Sequence, residues 1–461
     1  MTPAAPTLRP IELFTLAFGT IAGIAWLFLA GPWLRAAGPL GATLGLIAGG
    51  ILMIPIVWCY ARANELYPGG GGELLYVGHT LGRWLGLLTG WLLALAYIAL
   101  VAFHLVTVSW LAEICLARSA DIGAMHEPPA ALGNLVGLGI FAAIVYGNLK
   151  GAASASRLQD VIVIALVLAT LGLAANAMRF GRAQYLSPYF GSSSGVWSGI
   201  SQIVATAPFL YGGFNTAIQA ANEVNPRRSA RVMLTLGSAI LAAAVFYSAI
   251  LLSIACVLPR AQLLSYDMPA FDAFQSSIRS PLATLIVSLV AMAALCTSWN
   301  GVFLGAWKLV AALAQVRLFP GAAASHDRIR FKFAIGLVVV ASLLLSLRGR
   351  LGLLGIVAVV ALVIALVFCM MSAGILRTLL AGSVPRHLAG KGPLGIACLA
   401  VAISIGSAAL SIANLLHTPT SRTDVLLLGS GAVLFALLAI GRRRQILDVT
   451  VLQSPAGISR V

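Results

Sequence analysis

The chain has 461 residues, 60% of them hydrophobic and only 9% charged, with a mean hydropathy of +0.99. So small a polar set cannot cover the surface of a water-soluble chain of this size, which excludes a soluble globular fold. The formal net charge of +16 does not indicate nucleic acid either, because the Lys and Arg residues are scattered through short connections between apolar runs instead of gathered on one polar segment.

A bilayer crossing needs about 20 mostly apolar residues, and twelve candidate spans follow one another. They lie near 11–34, 38–61, 84–117, 131–147, 158–178, 195–221, 231–258, 281–316, 331–347, 351–380, 394–416 and 424–441. The first apolar run lacks a basic leader and a small-residue cleavage site and passes straight into the second, so it reads as a retained helix. Arg62, Arg83, Lys150, Arg227, Arg228, Arg231 and the Arg442–Arg444 run would all fall on one side of the bilayer. The positive-inside bias then places both termini in the cytoplasm, with the chain in the plasma (inner) membrane. Membrane lipid is therefore an expected partner and nucleic acid is not. The six cysteines, at 59, 115, 256, 296, 369 and 398, sit in or beside apolar spans and form no CxxC, which suits small core residues rather than a metal or redox site.

Two spans are interrupted. The run FGTIAGIAWLFLAGPWL carries Gly19 and Gly23, and the run APFLYGGFNTAIQA carries Gly212 and Gly213. A helix in hydrocarbon must satisfy its own backbone, so glycine pairs at mid-depth mark a helix that opens toward a protein-lined cavity. Broken helices at matching points of two halves point to a transporter's binding site.

Between spans two and three, Glu65, Tyr67, Pro68, Gly71, Gly72, Tyr76, Gly82, Gly90 and Trp91 resemble the signature of the amino acid-polyamine-organocation superfamily of permeases. The block PFLYGGFNTAIQAANEVNPRR in the sixth span agrees with that family. So does the eighth span, which keeps Asn300 twenty residues before Pro320 and places Lys308 where such permeases usually carry arginine.

The resemblance implies an all-α polytopic protein of LeuT type. Residues 1–180 and 195–380 would form inverted repeats of five helices each, broken at helices 1 and 6, with two appended helices over 394–441 and a tail over 442–461. It further implies a secondary transporter that moves an amino acid or related small amine by alternating access. Half-helix N-termini would take the carboxylate and unwound carbonyls the ammonium group.

On that reading the first break supplies Thr20, Ala22, Gly23, Ile24 and Ala25 to the substrate, with Trp26 following. The second supplies Phe209, an aromatic cover, together with Tyr211, Gly212, Gly213 and Asn215. Leu95 and Ile98 share a helical face with Trp91 in the third span and are expected to line the pocket, which Trp299 and Asn300 complete from the eighth. The chain departs from the family where Ile24 and Ala25 remove a hydroxyl donor, where Asn215 replaces an acidic residue, and where the fifth span near Leu166 has no lysine.

No resident cofactor or metal is expected. Either Na+ or H+ stands as the coupling ion, with Thr297 and Ser298 as candidate sodium ligands and His104 as a candidate proton relay. The plainer reading has those hydroxyls bonding back to their own turn and His104 as a neutral core histidine. Glu223 and Arg228 fall where an inner gate of this fold closes. A membrane-embedded enzyme is the rival class, alongside a non-transporting member of the same fold. Enzymes need clustered catalytic side chains, and the six histidines, at 79, 104, 126, 326, 387 and 417, form no cluster in the sequence.

Overall fold

The computed structural model describes residues 10–23, 25–67, 72–120, 130–150, 155–191, 195–221, 229–266, 268–278, 280, 282–319, 327–382, 384–385, 388, 390–416, 421–448 and 451. Ile24, Glu223 and Arg228 therefore lie outside the described residues, as do Pro68 and Gly71 of the signature. Within the described residues every regular element is a helix.

The first expected span is divided between α1 (Pro10–Ile21) and the start of α2 (Ala25–Leu66). α2 also contains the second span, because the chain bends sharply at Gly38 (φ 71°, ψ 173°) and continues as a second helical arm. That φ is open to glycine and strained for a side chain. A methyl group there would also meet the backbone of Phe190 at 2.6 Å. Two expected spans thus form one elbowed element.

α3 (Glu73–Leu81) follows as a short helix, then α4 (Arg83–Ala120), α5 (Ala130–Lys150) and α6 (Ala155–Phe180). The sixth expected span is three short pieces: α7 (Val196–Ala205), α8 (Ala207–Tyr211) and α9 (Phe214–Ala221). α10 (Ser229–Ala255), the short α11 (Arg260–Ser265) and α12 (Pro269–Ser277), α13 (Ala283–Gln315), α14 (Asp327–Ser346), α15 (Leu353–Leu380), α16 (Lys391–Leu416) and α17 (Ser421–Gly441) complete the order. Among the described residues nine helices are long and apolar enough to cross a membrane. With the second arm of α2, the divided sixth span and α17, all twelve expected spans have a counterpart.

Burial sorts the helices into an inner and an outer set. α4 buries 83% of its most apolar stretch and α15 72%, whereas α5 buries only 22% and α14 28%. The outer helices present Leu135, Leu168, Leu344 and Leu437 outward, a surface that suits hydrocarbon and would be prohibitive in water.

A few polar links tie the sets together. Trp91 Nε1 donates to the Gly431 carbonyl at 3.0 Å, fastening α17 to α4. Asn148 Nδ2 donates to Asn300 Oδ1 at 2.9 Å and Trp307 Nε1 donates to Asn148 Oδ1 at 3.1 Å, joining α5 to α13. Glu113 pairs with Arg350, which also lies over the Trp110 ring, at the opposite end of α4 from α3.

Candidate functional site

α1 stops at Ile21 and α2 begins at Ala25, so the backbone leaves the helical path in the middle of the bundle. The last carbonyls of one helix and the first N–H groups of the next then lack partners in their own helices. One of these is met within the protein, since the Tyr247 hydroxyl of α10 donates to the Ile21 carbonyl. The second interruption is tighter. α8 ends at Tyr211 and α9 starts at Phe214, with turn bonds from Asn215 N to Gly212 O (3.1 Å) and from Thr216 N to Gly213 O (3.3 Å) bridging them.

The two interruptions touch. A methyl group on Gly213 would lie 2.9 Å from both the Ile21 nitrogen and the Thr20 carbonyl carbon, which is closer than carbon atoms pack. The hydroxyls of Thr20 and Thr216 stand 3.5 Å apart across the contact. Gly23 is crowded in the same way by the Ser298 side chain of α13.

A cavity opens where they meet. Thr20, Ile21, Gly23 and Ala25 line it from the first interruption, and Phe209, Leu210, Gly212, Gly213 and Thr216 from the second. Tyr97, Leu100 and His104 close it from α4, Ser298 and Val302 from α13, and Ile364 from α15. Among the described residues that line it there is no Asp, Glu, Lys or Arg. Its polarity comes from three hydroxyls, the Tyr97 phenol, the His104 imidazole and the helix ends. Partial charges of both signs without a net side-chain charge suit a small zwitterion.

The expected residues distribute unevenly around this cavity. Thr20, Gly23, Ala25, Phe209, Gly212, Gly213, His104 and Ser298 line it. Tyr211 does not: its hydroxyl donates to the Leu46 carbonyl at 2.7 Å, which turns the ring onto the second arm of α2. Leu95 and Ile98 are also absent from the wall, Leu95 packing beside Gly431 of α17. The face of α4 that reaches the cavity carries Tyr97, Leu100 and His104, about 150° round the helix from Trp91, Leu95 and Ile98. Trp26 packs against Phe274 at 5.9 Å between ring centroids. Ala22 is buried at the first interruption without lining the cavity. Asn215 is fully buried beside Tyr97. Trp299 stacks on Phe141, and Asn300 is engaged with Asn148, both behind the wall. Thr297 donates to the Ala294 carbonyl of its own helix at 3.0 Å and does not line the cavity.

Tyr97, Leu100, Leu210, Thr216, Val302 and Ile364 of the cavity wall, and the Tyr247 link, are not among the residues expected from the sequence. Tyr97 carried a weak signal, as a polar group inside an otherwise apolar run; the others are ordinary span residues whose role is set by helix rotation.

The fold is that of LeuT-type transporters. The solved structure of MhsT in complex with L-phenylalanine superposes with a TM-score of 0.66, covering 88% of this chain and 99% of that one at 16% identity. The class of the molecule, an integral membrane transporter and not an enzyme, follows from the family that its sequence matches. Residues 8–438 match the family described as Amino acid permease, and the chain belongs to that family. It is 24% identical over 338 residues to the branched-chain amino acid permease BcaP of Lactococcus lactis subsp. cremoris (strain MG1363), covering 67% of this chain and 68% of that one. A shorter likeness, 31% over 86 residues, links it to the amino-acid permease RocC of Bacillus subtilis (strain 168), covering 19% of this chain and 18% of that one.

Proposed function

We propose that this permease carries an amino acid with an apolar side chain across the plasma membrane by alternating access, holding it between the interruptions at residues 22–24 and 212–213. The observation that carries this reading is a cavity onto which both interruptions open, lined by helix ends together with the apolar side chains of Ile21, Leu100, Phe209, Val302 and Ile364. The start of α2 would receive the carboxylate, and the carbonyls ending α1 and α8 the ammonium group. Those apolar side chains would then surround the substrate's side chain. The names of BcaP and of the phenylalanine-bound MhsT are in keeping with a neutral, apolar substrate. The basic connections noted above support cytoplasmic termini.

Uptake of radiolabelled amino acids into proteoliposomes tests this. Saturable uptake of branched-chain or aromatic amino acids is expected, with cationic and acidic amino acids failing to compete. Phe209, half-buried and 6.0 Å from the Phe103 ring, covers the apolar part of the cavity. Its replacement by alanine is expected to raise KM about tenfold, the effect of losing about 1.4 kcal/mol of contact. A chain that neither binds nor exchanges any amino acid or small amine would overturn the reading.

A further inference from the structure

We propose that His104 is a proton-binding site whose occupancy is linked to the substrate carboxylate, so that substrate and proton bind together. This rests on the substrate position given above and adds to it the coupling ion and the group that carries it.

His104 stands on the cavity wall and is 3% exposed. Its Nδ1 lies 2.7 Å from the Leu100 carbonyl. A carbonyl only accepts, so the hydrogen of the neutral ring is on Nδ1. That leaves Nε2 bare, 2.7 Å from Ser298 Oγ, and the neutral ring accepts the serine hydroxyl hydrogen. Ser298 Oγ has a second acceptor in reach, the Leu295 carbonyl of its own helix at 3.3 Å. When Nε2 takes up a proton, the serine hydrogen swings to Leu295 and the same oxygen accepts from Nε2–H. Both protonation states are then fully hydrogen-bonded with no heavy atom displaced, and Ser298 is also the side chain that packs on Gly23 of the first interruption.

The surroundings decide when the proton is held. From α13 the imidazole faces the Ser298 hydroxyl and, at 6.2 Å between ring centroids, the Trp299 indole. On its own helix it meets the Phe103 ring. Gly23 and Phe209 share the cavity with it from the two interruptions, and behind Trp299 lies Phe141 of α5. Tyr97 is the other ionisable side chain among the described residues of the wall. The charged groups on α4 itself are distant, Glu113 lying about 13 Å along the helix axis and already paired with Arg350. Among the described residues no carboxylate lines the cavity to balance an imidazolium. A carboxylate bound at the start of α2 supplies the missing charge. By linkage each ligand strengthens the binding of the other, and a proton entering from one side of the membrane leaves on the other with the substrate. The sign follows: substrate affinity is highest where His104 can be protonated and falls as the pH rises.

The test is substrate affinity and uptake by the reconstituted full-length protein between about pH 5 and 8. For the wild type, the apparent Kd is expected to weaken by up to tenfold per pH unit across the window set by the free and bound histidine. An inwardly directed proton gradient should drive accumulation, and substrate addition to weakly buffered protein should take up protons. In His104→Gln the ratio of affinities at the two ends of the range is expected to approach one, and gradient-driven accumulation to vanish. Ser298→Ala removes the acceptor for Nε2–H and is expected to move the pH midpoint of binding downward, an independent readout should the glutamine variant not assemble. Wild-type affinity that is flat with pH, or a His104→Gln variant with the wild-type pH profile, would overturn the proposal while leaving substrate binding intact. Absence of any amino acid binding would overturn the substrate reading and this one together.

Discussion

Gly213→Ala is expected to reduce substrate uptake by roughly 10- to 100-fold, corresponding to about 1–3 kcal/mol of overpacking at a site that cannot relax. The added methyl would press on the backbone at Thr20 and Ile21, 2.9 Å away, so no flexible side chain can yield. Either the two interruptions move apart, which enlarges and misshapes the cavity, or α9 shifts against α1. Both outcomes leave the long helices untouched, and the variant should still insert into the membrane and purify as a folded protein. Gly237→Ala is the matched control. Its methyl would meet Ile54 Cδ1 at 3.6 Å, an ordinary contact, and transport is expected to be unchanged. Wild-type uptake by Gly213→Ala would show that the close approach of the interruptions does not matter to function.

Trp299→Ala is expected to cost about 3–5 kcal/mol of stability, the usual loss for truncating a fully buried large aromatic. The indole is 0% exposed and lies parallel to Phe141, with centroids 5.2 Å apart and planes 5° apart. On another side it stacks with His104. Removing it leaves a void behind the cavity wall at the point where α4, α5 and α13 meet. The thermal midpoint of the detergent-solubilised protein should fall by several degrees, on the order of a few degrees per kcal/mol. Trp299→Phe keeps the stacking surface, and because the indole Nε1 has no hydrogen-bond partner among the described residues, it should melt close to the wild type. If Trp299→Ala melted with the wild type, the indole would not be holding this junction together.

How much of this was readable beforehand depended on whether a residue carried its own conformational signature. Gly23 with Gly212 and Gly213 did, because glycine at mid-span has few structural reasons other than an interrupted helix or a close approach, and the structure shows both. The twelve apolar runs were equally plain, being a matter of length and composition. The rotation of α4 was not. That helix is apolar nearly all round, so nothing in the pattern distinguished the face holding Leu95 and Ile98 from the one holding Tyr97, Leu100 and His104. Tyr211 is expected in the cavity as part of the block that resembles the permease family, yet its hydroxyl needs a buried acceptor and finds one in Leu46 O. His104 was visible as an ionisable group inside a span, but its two hydrogen bonds, one of them to a residue 194 positions away, exist only once α4 and α13 are packed. The elbow at Gly38 was hidden for a similar reason: a Gly-Pro pair signals a bend, but not that helix resumes at once on its far side.

That elbow has a mechanical consequence. One arm of α2 begins at the first interruption with Ala25, and the other holds Tyr211, next to Gly212 of the second, through Leu46 O and the Gly49 surface. A single covalent piece therefore has a grip on each lip of the cavity, with Gly38 as its bend. Rocking that piece by a few degrees would displace both lips in concert, as the handles of pliers move the jaws, with the Tyr211 side chain as the link to the second lip.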